Sequence, residues 1–233
     1  LFLAGVAERT QQIKLGTGVI SLPYHHPFMV AQRLVQLDYQ SRGRVIFASG
    51  PGALPSDAHT LAIDPMKLRD RQDEAMGIIK RLFEGEERFS YESEWFQLRD
   101  AKLQLRPFQK NMEFAVASTK SPSGMTLAGK YEAGVLSIGA TATAGLQALP
   151  RQWSFAKESA LKHNNVVDRK NWRILMSWHI AETREKAREQ AGDGLMRHNN
   201  EYTVKTLRGG EGSIFKTADE AVKGAGIVLC VQF

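Results

Sequence analysis

The chain has 233 residues, of which 42% are hydrophobic and 24% charged. Those values fit a folded globular protein and exclude disorder, collagen and low-complexity classes. A single cysteine, Cys230, excludes an internal disulfide and a Cys-based zinc site, and no apolar run approaches the ~20 residues that span a bilayer. The net charge is +6, yet basic residues alternate with acidic ones, as in Lys67-Leu68-Arg69-Asp70-Arg71-Gln72-Asp73-Glu74. Such runs are solvated helix faces with i,i+4 partners, so neither a nucleic-acid nor a membrane partner is expected. No charged segment precedes an apolar stretch as in a secretory leader, and a cytoplasmic setting is expected.

In chain order, a short helix over Phe2–Thr10 leads into a buried strand, Ile13 to Ile20, β-branched and nearly all apolar. Phe28–Tyr39 is helical by spacing, with Val30, Leu34 and Leu37 on one face. Arg44–Ser49 is a second strand, followed by a Gly/Pro loop and a helix over Met66–Glu84. Residues 86–107 alternate around Phe89, Tyr91, Trp95, Phe96 and Leu98, which predicts a hairpin-like excursion. Met112–Ala117 is a third strand. Ser121-Pro122-Ser123 then opens a helix to Lys130, since Ser caps well and Pro suits a first turn. Gly134–Ile138 is a fourth strand, Leu146–His163 a helix, Arg173–Ile180 a fifth strand, Arg184–Arg197 a helix capped by Thr183, and Ile227–Val231 a sixth strand.

Six strands alternating with helices predict a parallel α/β architecture in one domain spanning 1–233. A doubly wound sheet and a (β/α)8 barrel both satisfy that alternation. Gly50-Pro51-Gly52-Ala53-Leu54 supplies only the first half of a G-x-G-x-x-G motif, with no helix at once after it, which counts against a dinucleotide-binding sheet. There is no His-x-x-x-His pair, no carboxylate cluster at ligand spacing and no Gly-x-Ser-x-Gly elbow, so neither a metal site nor a serine hydrolase is expected.

A set of blocks points further. They are Ile13-Lys14-Leu15-Gly16-Thr17-Gly18-Val19-Ile20-Ser21-Leu22-Pro23 with His26-Pro27, Gly43-Arg44-Val45-Ile46-Phe47, Gly50 to Asp57, Ala117-Ser118-Thr119-Lys120-Ser121-Pro122-Ser123-Gly124-Met125, and Ser177-Trp178-His179-Ile180. Their order and spacing resemble the bacterial luciferase-like flavin monooxygenases, the later blocks resembling the limonene-monooxygenase-like branch. The resemblance implies a TIM barrel. It places Leu1 within the family's second helix, so the first two strands are expected to be absent and the barrel incomplete.

Barrels carry function on the loops after the strands. A flavin there needs a flat apolar slot for its ring, and N–H groups and hydroxyls for its phosphate, ideally at a helix N-terminus. Ser121, Ser123 and Gly124 fit the phosphate role, with Ser118 just before them. The resemblance places Ser123 at a phosphate-binding serine; a plain helix cap is the alternative reading. It also implies that Thr17, Gly18 and Val19 lie beneath the ring, with a cis peptide at Gly18–Val19, and that Ser137, Ile138 and Gly139 form the opposite wall. Tyr24, His26, Ser49 and Gly50 are the expected substrate contacts.

Of the six histidines, His25, His26, His59 and His179 are the candidate acid–base groups for proton transfer. His179 is the preferred catalytic candidate. Strand alternation makes Trp178 and His179 point to opposite faces, and His179 is expected to face the pocket while Trp178 packs outward against the helices. The function implied is oxidation of a small apolar molecule by O2 with reduced FMN from a separate flavin reductase. A deazaflavin-dependent oxidoreductase or a truncated, non-catalytic flavin-binding homologue are the alternatives. A homodimer is compatible with the resemblance.

Overall fold

A computed structural model of the chain describes residues 1–85, 87–119, 121–138, 143–207, 213–224 and 227–231. Its first elements are α1 (Phe2–Arg9), β1 (Leu15–Gly16), β2 (Ile20–Ser21), α2 (Pro27–Ser41) and β3 (Val45–Gly50). The single strand expected from Ile13 to Ile20 is two short strands, both parallel to β3, with Leu15 opposite Val45 and Ser21 opposite Gly50. The break falls at Thr17–Val19, where the Gly18–Val19 peptide is cis. The Thr17 hydroxyl spans the break. It donates to the Ala48 carbonyl oxygen at 2.7 Å and accepts from the Ala48 N–H at 2.8 Å, replacing the missing backbone rungs. α2 opens on Pro27, where a missing N–H costs nothing. Arg44 at the start of β3 fastens α1, its guanidinium donating to the carbonyls of Ala7 (2.9 Å), Thr10 (2.8 Å) and Ile13 (2.8 Å).

Next come α3 (Pro55–Thr60), α4 (Leu68–Glu84), β4 (Phe89–Glu92), β5 (Gln97–Ala101), β6 (Glu113–Ser118), α5 (Ser123–Tyr131), β7 (Gly134–Ser137), α6 (Thr143–Lys162) and β8 (Trp172–Ile174). β4 and β5 form an antiparallel hairpin, fixed to α4 where the Glu74 carboxylate accepts hydrogen bonds from Tyr91 and Ser93, both at 2.9 Å. The main sheet runs β1-β3-β6-β7-β8 with β2 also on β3, every pairing parallel, and curls as a half-barrel. Alternation gives it two unlike faces. Val45, Phe47, Val116 and Val135 point to the helices and join one core with Leu34, Ile79, Met125, Ala128 and Ala156. A large apolar side chain buried there contributes roughly 1.5–3 kcal/mol. The inner face carries small residues, among them Ala48, Gly50, Ala115 and Ala117.

The last elements are β9 (Trp178–Ala181), α7 (Arg184–Arg197), a π-helical stretch (His198–Leu207), α8 (Ala218–Gly224) and β10 (Val228–Val231). The fifth strand expected over Arg173–Ile180 is therefore divided. β8 adds to β7 as far as Ser137↔Ile174, and β9 pairs in parallel with β10 in a separate two-stranded sheet. The chain leaves β7 where β7 itself ends, and the backbone groups of 178–181 are satisfied by β10 instead. No helix among the described residues is long and apolar enough to cross a membrane.

Candidate active site

The C-terminal ends of β2, β3 and β6 lie side by side, and the residues there build a shallow floor. A Cβ placed on Gly50 would meet Val19 Cγ2 at 2.7 Å and Ala117 Cβ at 3.7 Å, so Val19, Gly50 and Ala117 are in contact. A larger residue at position 50 would fill the floor. Ile138, just past β7, is 43% exposed, with its N–H donating to the Ser118 carbonyl oxygen at 2.9 Å. The floor is apolar because alternation brings Gly50 and Ala117 to this face, with Leu136 beside Ala117. Sequence reading missed Ala117, which the register Ala48↔Ala115 puts on the face of Gly50.

Beside the floor, α5 begins. The Ser121 and Ser123 hydroxyls are 2.9 Å apart and half-buried. The first turn of a helix leaves N–H groups without intrahelical acceptors and carries the positive end of its dipole. Gly124 lies tight on the strand end beneath it. A Cβ there would approach the Ala117 carbonyl oxygen to 2.4 Å and the Ser118 Cα and Cβ to 3.0 Å, so only glycine lets α5 sit this close. Ser118, under that turn, is 2% exposed and its Oγ has no hydrogen-bond partner among the described residues. A buried hydroxyl left unpaired costs about 1–3 kcal/mol. Its position below a helix N-terminus bearing two more hydroxyls makes a cradle for an oxyanion such as a phosphate.

Other expected residues are used differently. Ser49 is buried on the helix side, accepting from Gln72 Nε2 at 3.1 Å and donating to Met76 Sδ at 3.2 Å, so it does not reach the floor. Ser137 also faces the helices, its Oγ accepting from Trp172 Nε1 at 2.8 Å, and so does not form the expected wall. Both corrections follow from register, since Ser49 shares a face with Phe47, and Ser137 with Val135; Ser118, opposite Ser137, is on that same helix-facing side, beneath the first turn of α5. Thr17 lies beside Gly18, but its hydroxyl is engaged by Ala48 within the sheet. His26 is exposed at the N-cap of α2, its ring edge-on to Phe96 of the hairpin at 5.5 Å. His25 and His59 are exposed. Gly139 lies outside the described residues.

The expected orientation of His179 is corrected. On β9 its Nε2 lies 2.9 Å from Gln190 Oε1 of α7, so the ring faces the helix, while Trp178 on the opposite face is 59% exposed. Alternation held, but its sense is set by α7, which covers the His179 and Ala181 side of the β9–β10 pair. No group of three or more His, Cys, Asp or Glu residues that could hold a metal ion occurs among the described residues.

A curled parallel β/α sheet with helices packed on its outer face defines a barrel-type protein. The chain belongs to the luciferase-like monooxygenase family, whose profile matches residues 1–225. It is 48% identical over 205 residues to 4-hydroxyprotoasukamycin monooxygenase of Streptomyces nodosus subsp. asukaensis, covering 87% of this chain and 55% of that protein. To limonene 1,2-monooxygenase of Rhodococcus erythropolis it is 47% identical over 196 residues, covering 84% and 50%. The chain thus spans about half the length of these relatives. Among solved structures, the oxygenating constituent of 3,6-diketocamphane monooxygenase from Pseudomonas putida, in complex with FMN, superposes with a TM-score of 0.71 at 22% identity, over 99% of this chain and 75% of that one. A more distant relative, the F420-dependent glucose-6-phosphate dehydrogenase of Microbacterium testaceum, is 31% identical over 58% of this chain and 40% of its own length.

Proposed function

We propose that this chain carries the FMN cradle of a flavin-dependent monooxygenase that oxidises a small apolar molecule with O2, reduced flavin arriving from a separate reductase. The observation that carries the reading is the α5 N-terminus: two adjacent hydroxyls, the unpaired buried Ser118 Oγ and the glycine-only contact at Gly124. These groups fit a phosphate. Ser121, Ser123 and the first-turn N–H groups of α5 would hold it, and Ser118 would supply a further hydroxyl. The floor of Val19, Gly50 and Ala117 would seat the ring and keep water from its lower face. When bound, reduced flavin supplies two electrons to O2, so that one oxygen atom enters the substrate and the other leaves as water. The likeness to limonene 1,2-monooxygenase supports a small apolar substrate.

Titration with FMN, followed by flavin fluorescence, tests the cradle. Ser123→Ala should weaken FMN by about 1–2 kcal/mol, the scale of a hydrogen bond to a charged group. Unchanged affinity would mean that Ser123 takes no part in holding the phosphate. The second reading, a deazaflavin coenzyme in the same cradle, draws on the F420-dependent relative. Oxygen consumption with chemically reduced FMN against binding of the deazaflavin separates the two. Flavin binding without turnover would select a non-catalytic homologue.

A further inference from the structure

Tyr24 stands on the far side of the floor from the phosphate cradle. It follows β2, whereas α5 follows β6, and β3 lies between them in the sheet. Its hydroxyl is buried and has no hydrogen-bond partner among the described residues. What covers it is backbone. Gly52, two residues beyond the floor residue Gly50, has φ +90°, and a Cβ there would lie 2.3 Å from the Tyr24 hydroxyl oxygen and 2.6 Å from Cζ. Only glycine permits this approach, on conformational and on steric grounds.

A tyrosine that needed only to fill space would serve as well as phenylalanine and avoid the cost of an unpaired hydroxyl. Resting on the flavin reading above, we infer that the Tyr24 hydroxyl is a hydrogen-bond donor to a carbonyl oxygen of the bound flavin ring, at the edge remote from the phosphate. The ring offers carbonyl acceptors there, and the floor of Val19, Gly50 and Ala117 leads from the cradle towards Tyr24. Burial, and then the negative charge of Asp57, raise the Tyr24 pKa above that of a free phenol, which keeps the group protonated and donating. Engagement requires the 51–54 loop to shift aside. Its contact with the phenol is steric, with no hydrogen bond from the hydroxyl to release.

The test uses the whole chain, oxidised FMN and riboflavin, which has the same ring but no phosphate. Tyr24→Phe should weaken both flavins by a similar factor, roughly 3- to 10-fold, the range of one neutral hydrogen bond. Ser123→Ala should weaken FMN and leave riboflavin unchanged. The melting temperature of ligand-free Tyr24→Phe should equal or exceed that of the parent, because an unpaired hydroxyl has been removed. Wild-type affinity of Tyr24→Phe for both flavins would overturn this inference alone. So would a fall of several degrees in melting temperature, which would show that the hydroxyl already serves the fold. Absence of flavin binding by the unsubstituted chain would overturn the flavin reading and this inference together.

Discussion

Thr17 illustrates how a residue beside a ligand floor can belong to the fold. Its Oγ1 both donates to and accepts from Ala48, standing in for two backbone rungs where β1 stops. Thr17→Val keeps shape and β-branching but removes both bonds and strands the Ala48 N–H and carbonyl. A loss of about 2–4 kcal/mol is expected, from two unmade hydrogen bonds with buried partners, whereas Thr17→Ser should recover most of it. Urea denaturation of the three proteins measures this. Equal stability of the valine and threonine forms would mean that the hydroxyl is dispensable. From sequence alone Thr17, Ser49, Ser118 and Ser137 are equivalent small hydroxyls at strand ends. Only Ser118 among them has a hydroxyl without a partner among the described residues, because the others meet Ala48, Gln72 and Trp172, far away along the chain.

At the scale of elements, α5 is the piece on which the site depends. Its N-terminus carries the proposed phosphate cradle, and its other end is fixed against α6 and α4. A Cβ on Gly129 would come within 2.3 Å of the Ala156 carbonyl oxygen and 2.7 Å of the Ala160 backbone nitrogen. Gly129, Ala156 and Ala160 thus let the two helix backbones nearly touch, and Ser159 Oγ donates across the contact to the Thr126 carbonyl oxygen at 2.6 Å. Alanine normally favours a helix over glycine by about 1 kcal/mol. Here the sign reverses, because the methyl group meets backbone that cannot rotate away. Gly129→Ala should therefore destabilise by about 1–3 kcal/mol, the range for overpacking. Thermal unfolding of the variant decides it, and a rise in melting temperature would mean that the helices can separate freely. At α5's C-terminal end Lys130 pairs with Asp73 of α4 at 2.7 Å, and the Tyr131 hydroxyl lies 2.6 Å from the same carboxylate. Helical spacing made α4, α5 and α6 legible in the sequence. That α5 and α6 cross at Gly129 was not, since a glycine within a helix looks like a weak point until its neighbour is known.

For the molecule as a whole, the two faces of the sheets differ most. One face of the main sheet is closed by helices. The β9–β10 pair has α7 on one side, with Ala181, Ala187 and Ala191 buried, and leaves Trp178 and Ile180 59% and 60% exposed on the other. Exposed apolar side chains add little to stability but favour association. Trp178→Thr keeps a strand-favouring residue and should change unfolding free energy by less than ~0.5 kcal/mol, as for other surface substitutions. It should also reduce binding of an apolar fluorescent dye. A large loss of stability would show instead that the indole is packed in solution.

The order of strands and helices, the hairpin excursion and the glycine-serine run opening α5 follow from the sequence, because hydrophobic period, caps and turn residues are local. The luciferase-like pattern was legible for the same reason, its blocks being read in order. Which strand-end residues lie on the inner face of the sheet was decided only in three dimensions. Face is set by register against β3 and β6, and a hydroxyl's availability by partners as distant as the 35 residues separating Ser137 from Trp172. The same reason moved His179 from the pocket to α7: a strand's alternation is written in its sequence, but the side that counts as inward is chosen by the element that packs upon it.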